Sequence, residues 1–200
     1  MKTKLFYAFA LMLLAQFTVA QKLGIKGGLN FANMVYSGGG TTSSDKSITA
    51  IHVGPVADFQ LQQNLFMNTG LLFSIKGTKT EGVDGETITV NYLEVPLNLA
   101  YKFPINENSK FLIQAGPYLG YALSGKDKYS GESTDITFGE PGGMKRLDFG
   151  LGFGAGIELG SIILSANYEL GLSNIIDDSS YKVKNKVFQI SLAYMFGSSK

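Results

Sequence analysis

A single histidine, His52, and no cysteine occur in this 200-residue chain. Any histidine-dependent hydrolysis must therefore use His52, and disulfides and thiolate metal sites are excluded. No partner constellation for a nucleophile and an orienting carboxylate can be read around His52, so a histidine bonded to its neighbours is the expectation. The run Gly120 to Lys126 imitates a phosphate-binding loop. Asp127 stands where that loop needs Ser or Thr, and no helix pattern follows, so the metal-binding hydroxyl and the helix N-terminus are missing. The Gly-x-Gly spacing of GLGFGAG (150–156) belongs to strand alternation rather than to a dinucleotide fingerprint. Asp177 and Asp178 match no defined calcium loop. No cofactor and no metal site is expected.

The remaining charge is more telling. Lys26, Lys76, Lys102 and Arg146 share the polar face of alternating segments with Asp58, Glu94, Asp148, Glu158 and Glu169. Enclosed in a narrow, partly dry space, charges of both signs must pair, because an unpaired buried charge is strongly disfavoured. The expectation is a cross-lumen network that fills a barrel rather than a water channel.

The elements that would hold these residues have a period of two. From Arg146 to Ser173, Leu147, Phe149, Leu151, Phe153, Ala155, Ile157 and Leu159 share one face, and Gly150, Gly152, Gly154, Gly156 and Glu158 lie on the other. After Gly160-Ser161 the same alternation resumes. A two-residue Gly-Ser turn sets Leu159 opposite Ile162, Ile157 opposite Leu164, Phe153 opposite Tyr168 and Leu151 opposite Leu170. A one-residue slip would mix the faces. Further strands are expected over 22–36, from about Thr49 to Leu61, around Met67 to Lys76, over 87–103, around Phe111 to Ser124, and around Phe188 to Phe196. Ile88 and Val90 fall out of phase in the fourth, which implies either a projection beyond the membrane or a bulge. The stretch 37–46 is too rich in Gly and Ser to hold a strand.

About eight strands with alternating connections result. QQN, PINENS and GS are short, whereas the segments near 37–47, 80–87, 126–143 and 175–185 are long and polar. Short turns at one end and long loops at the other mark an outer-membrane barrel. The fold class expected is all-β: one closed, antiparallel, up-and-down transmembrane β-barrel over 21–200. Residues 1–20 read as a cleaved export signal, with Lys2 and Lys4, an apolar LFYAFALMLLA and a Thr18-Val19-Ala20 cleavage site. The rival is a soluble lipocalin-like barrel with its faces reversed. A water-facing surface should be rich in Lys, Glu and Thr. This polar face is rich in Gly, in a chain with 25 glycines and 16% charged residues. Small residues belong inside a narrow barrel, and they leave room for Tyr92 and Tyr118 to cross it. Phe59, Tyr101, Phe103, Phe111, Tyr194 and Phe196 toward the turns, with Phe73, Tyr121, Phe149 and Phe188 toward the loops, form two interfacial belts. The partners expected are outer-membrane lipids and a protein at the external loops or the periplasmic side. A net charge of +1 gives no sign of nucleic acid.

The segment NYLEVPLNLAYKF (91–103), with GIKGGLNFAN (24–33), RLDFGLGFGAGIEL (146–159) and FQISLAYMF (188–196), resembles the PorT-like outer-membrane β-barrel family. The resemblance implies a barrel in a membrane and, through the family's name member, a link to type IX secretion. Two function classes follow: a plugged structural or interaction barrel acting through its loops, and a small-solute pore or secretion accessory. An enzyme using His52 is a third.

Overall fold

The computed structural model describes residues 22–80, 85–140, 142–178 and 180–196. The export signal expected over 1–20 and the tail after Phe196 lie outside the described residues. The strands are β1 (Lys22–Gly38), β2 (Thr41–Ser44), β3 (Ile48–Gln60), β4 (Leu65–Gly70), β5 (Leu72–Lys79), β6 (Thr87–Asn106), β7 (Ser109–Tyr129), β8 (Glu132–Asp135), β9 (Leu147–Leu159), β10 (Ile162–Gly171) and β11 (Tyr181–Phe196). All pairings between them are antiparallel, and each wall of the ring pairs with the next in sequence. The ring closes where β1 meets both β3 and β11, with Leu23 opposite Phe196 at one end and Gly38 opposite Tyr181 at the other. Closure leaves no wall with a free edge, which a strand in hydrocarbon requires.

Eight walls form this ring, because β4 and β5 are one strand interrupted at Leu71, and β2 and β8 lie off it. Proline causes the interruption. Leu71 N–H donates to Pro55 O at 3.0 Å, and Pro55 has no N–H to return the bond. The β9–β10 hairpin has the expected register, including Leu159 opposite Ile162 and Gly152 opposite Glu169. Gly160 occupies the turn with φ +59°, a left-handed conformation that glycine adopts without steric cost.

Burial is inverted relative to a protein in water. Leu99, Leu151, Leu164, Leu192 and Phe196 are about half exposed, while Lys76, Glu94 and Asp148 are completely buried. Large contiguous apolar surface of this kind needs a non-aqueous neighbour, and a lipid-facing band supplies the reason. Phe59 leaves the expected turn-side belt, being buried at 8% exposure.

The structure corrects four local expectations. The last strand begins at Tyr181, inside the loop expected over 175–185, because residues 181–187 pair with the far end of β1. The segment after Gly38 does hold a strand, since Thr41–Ser44 fold back on Val35–Gly38. The strand expected to end near Ser124 runs on to Tyr129 and turns through Ser130-Gly131 into β8. Ile88 and Val90 are not displaced by a bulge in their own strand. They stay in phase with Tyr92 and Glu94 and point inward, and the irregularity lies on β7, where Leu123 is the extra residue between Ser124 and Ala122. Beyond that bulge the faces of β7 exchange. Ser124, expected inside, is exposed and accepts a hydrogen bond from Asn91 Nδ2 at 2.9 Å.

Candidate functional site

Two ion clusters occupy the lumen, and the glycine-rich walls make room for them. In the one nearer the loops, Lys76 on β5 reaches across to three other walls. Its Nζ lies 2.6 Å from Glu94 Oε2, 3.1 Å from Glu169 Oε2 and 3.5 Å from Asp148 Oδ2. It also sits 4.1 Å from the centre of the Tyr118 ring, close enough for a cation–π attraction. Asp148 is well supplied with donors: Asn185 Nδ2 at 2.9 Å, Ser173 Oγ at 3.0 Å and Tyr118 Oη at 3.3 Å. Among the described residues Glu94 Oε1 has no donor, and Lys76 is the cation that faces its Oε2. Lys26 lies in the field of Glu169 and Glu94 without a direct ion pair among the described residues.

The second cluster lies toward the short turns. Lys102 Nζ joins Asp58 Oδ2 at 2.5 Å and Glu158 Oε2 at 2.7 Å, and Lys22 approaches Glu158 Oε1 at 3.5 Å. Asn68 Nδ2 donates to the other oxygen of Asp58. Phe66 closes this cluster from the turn end, with Lys102 Nζ 4.2 Å from its ring centre. Among the charges expected inside, Arg146 departs. It precedes β9, and its guanidinium donates to Ala122 O at 2.9 Å and packs 4.8 Å from the Phe138 ring. The ladder between β7 and β9 ends at Tyr121 opposite Leu147, so the next carbonyl, Ala122 O, has no strand partner on that side, and the guanidinium supplies the donor.

Between the clusters lie two small cavities of about 20 and 60 Å³, both bordered by Lys26. The first is of the size that holds one water, roughly 10–15 Å³ being the minimum. Tyr92 and Tyr118 fill the rest of the cross-section, both buried. A Cβ added at Gly150 would lie 2.6 Å from Tyr118 Cε1 and closer still to Leu170 O, whereas one at Gly152 would make only ordinary contacts beginning at 3.7 Å. Gly150→Ala is therefore expected to destabilise by about 1–3 kcal/mol through overpacking. Gly152→Ala should change stability by less than about 1 kcal/mol. Urea unfolding of the two variants in detergent micelles checks the contrast.

His52 has partners that sequence spacing did not reveal. Its Nδ1 lies 2.8 Å from Asn30 Oδ1 and its Nε2 3.0 Å from Ser191 Oγ. Asn30 Nδ2 donates to Ile75 O at 2.9 Å and to Ser74 Oγ at 3.1 Å, so Asn30 Oδ1 must accept. His52 then carries its proton on Nδ1, and Nε2 accepts from the serine hydroxyl. That is the order of a nucleophile, a base and an orienting group. All four side chains are 2% exposed or less, and none of them borders the cavities described above. The chain ties β1, β3, β5 and β11 together. Its members lie up to 139 residues apart in sequence, so only closure of the ring could reveal it.

The loops close the mouth. Met34, Val90, Tyr92, Ala122, Met144, Ile175 and Val183 form an apolar cluster above Lys76, with Ile136, Phe138 and Ile176 packed on it from the loops. Here Ile88 and Val90, out of phase for lipid, find apolar neighbours. Asp177 pairs with Lys145 Nζ at 3.4 Å on the segment before β9, and Asp178 Oδ1 accepts from Ser180 N at 2.6 Å within its own loop, so both acids are engaged by loop residues. Among the described residues no group of three His, Cys, Asp or Glu side chains is placed to hold a metal ion.

A closed antiparallel ring with hydrocarbon-compatible walls and a charged interior defines an integral β-barrel of outer-membrane type. The chain belongs to the outer membrane protein beta-barrel domain family, which matches residues 15–177, and its place is the outer membrane. None of the curated protein sequences matches it. Solved structures similar to it include Neisserial surface protein A, at 12% identity over 87% of this chain and 97% of that one, with a TM-score of 0.49. OprG from Pseudomonas aeruginosa is similar at 12% identity, 90% and 97% coverage and a TM-score of 0.49. Ail, the attachment invasion locus protein of Yersinia pestis, is similar at 19% identity, 88% and 98% coverage and a TM-score of 0.41.

Proposed function

We propose that this protein is a non-conducting outer-membrane barrel whose external loops do its work by recognition. One observation carries the reading: Lys76 and Lys102 each bridge carboxylates from other walls, side chain against side chain, across the bore. A solute would have to break those pairs in a low-dielectric space, at a cost of several kcal/mol per uncompensated ion. The apolar cluster at the mouth adds a second barrier. With the bore filled, specificity falls to the loops, where barrels commonly carry it. Within its family we place the chain among the PorT-like barrels on the YLEVPL core (92–97), and we take residues 1–20 to be a cleaved export signal, leaving 21–200 as the barrel.

Planar-bilayer recording tests the reading. The expected result is no steady conductance at neutral pH, and a stable open level would overturn the plug and favour a small-solute pore. We also read the protein as non-enzymatic. His52→Ala is expected to leave phospholipid and peptide hydrolysis by the purified barrel at the background level of the parent, because substrate has no path to a side chain that is 1% exposed.

A further inference from the structure

A cavity of about 360 Å³ lies at the long-loop mouth, between the ends of β1, β6 and β7 and residues 134–137 and 142–144. Its size falls in the range of sites for small organic ligands, which are mostly apolar with a few placed polar groups. Met34, Ile88, Met144, Ile176 and Val183 supply apolar walls. The methionines make such walls adaptable. The segment behind them is internally bonded, with Gly139 N to Met144 O at 2.9 Å and Met144 N to Thr137 O at 3.1 Å, so the cavity is preformed.

The polar side of the cavity has one sign. Asp127 and Asp135 line it, and among the described residues no basic side chain does. Asp127 Oδ1 is shielded from solvent and has no hydrogen-bond donor. Burial raises the Glu86 carboxyl above its ordinary value, and Asp127 and Asp45 raise it further. Protonated, Glu86 can donate to Asp127; ionised, it repels that carboxylate and leaves Oδ1 still without a donor. Tyr36, also on the lining, has its phenol pushed up to about 12 by burial and then by Asp45 and Glu86, so it stays neutral. An apolar cavity whose charged lining side chains, among the described residues, are carboxylates is complementary to an alkyl chain that ends in an ammonium group.

We infer that this mouth cavity binds a small amphipathic amine, its apolar body against Ile88, Met144 and Ile176, with Met34 behind them, and its ammonium on Asp127. The inference rests on the loops being the recognition surface, and it supplies the chemical class that they recognise.

The test uses the barrel in lipid nanodiscs with ¹³C-labelled methionine methyls, titrated separately with octylammonium, octanol and octanoate. Met34 and Met144 report on the cavity, while Met67 and Met195 serve as controls outside its lining. Octylammonium should shift the Met34 and Met144 methyls saturably, with an apparent affinity about tenfold tighter than that of octanoate. Asp127→Asn should erase that preference while leaving the octanol response in place. The inference is overturned by equal responses to the three probes, by silence at Met34 and Met144, by shifts of the same size at Met67 and Met195, which mark partition into the bilayer alone, or by a preference that survives Asp127→Asn. The plug is judged separately by conductance, so a leaky barrel with responsive methyls and a closed barrel with silent ones are distinct outcomes.

Discussion

Lys76→Met should lower the unfolding free energy by about 3–5 kcal/mol, the usual consequence of removing one partner from a buried ion cluster. The replacement keeps most of the side-chain volume but removes the only cation within 4 Å of Glu94, Glu169 and Asp148 among the described residues. Both side chains of the Lys76–Glu94 pair are completely buried. Three carboxylates would then share a space from which water is largely excluded, and Lys26 would act on them only at a distance. Urea titration of folding into lipid vesicles, followed by circular dichroism, gives the loss directly. The double variant Lys76→Met with Glu94→Gln should recover a measurable part of it, and the double-mutant cycle isolates the pair. A loss below about 1 kcal/mol for Lys76→Met would mean that water reaches the cluster. The case for a filled bore would fall with it.

The second large effect is on the outer wall. Ile190 is 43% exposed and lies between Phe188 and Tyr194, which face the same way in the loop-side and turn-side aromatic belts. Ile190→Arg should cost about 2–4 kcal/mol, the price of placing a guanidinium near the bilayer midplane. Leu151→Arg, one outward position in from Phe149, should cost less than Ile190→Arg. Leu159→Arg, beside the Gly160-Ser161 turn, should cost about 0–1 kcal/mol, because there the charge reaches the interface. All three residues are comparably exposed, so burial within the protein predicts no such ordering. The same titration in vesicles measures the series. A flat profile would show that the apolar wall does not face hydrocarbon.

Much of the wall was legible in the sequence because its determinants are local. The alternation of Leu147 to Leu159, the Gly160-Ser161 turn and the alternation of Ile162 to Leu172 specify one register, and the structure has that register pair by pair. Loop chemistry was less legible. Thr41–Ser44 and Glu132–Asp135 form strands only by leaning on β1 and β7 beyond the membrane, and their composition carries no period of two. The same holds for the bulge. Ile88 and Val90 signalled that something was irregular, but the extra residue lies on the neighbouring strand at Leu123, where nothing in the sequence of β6 could place it.

Sequence alone determined the ring and which face of most strands turns inward or outward, since that direction follows from strand parity once the turns are known. Which charges meet was decided by closure. Lys76 and Asp148, 72 residues apart, face across the barrel at a height set by the stagger of the strands between them; His52 and Ser191, 139 apart, meet over Gly28, which pairs with both only once β1 has met β11. The mouth cavity depends on the same closure and on loops folded over it. Pairing along a strand is a local property, and pairing across a lumen exists only after the last strand has met the first.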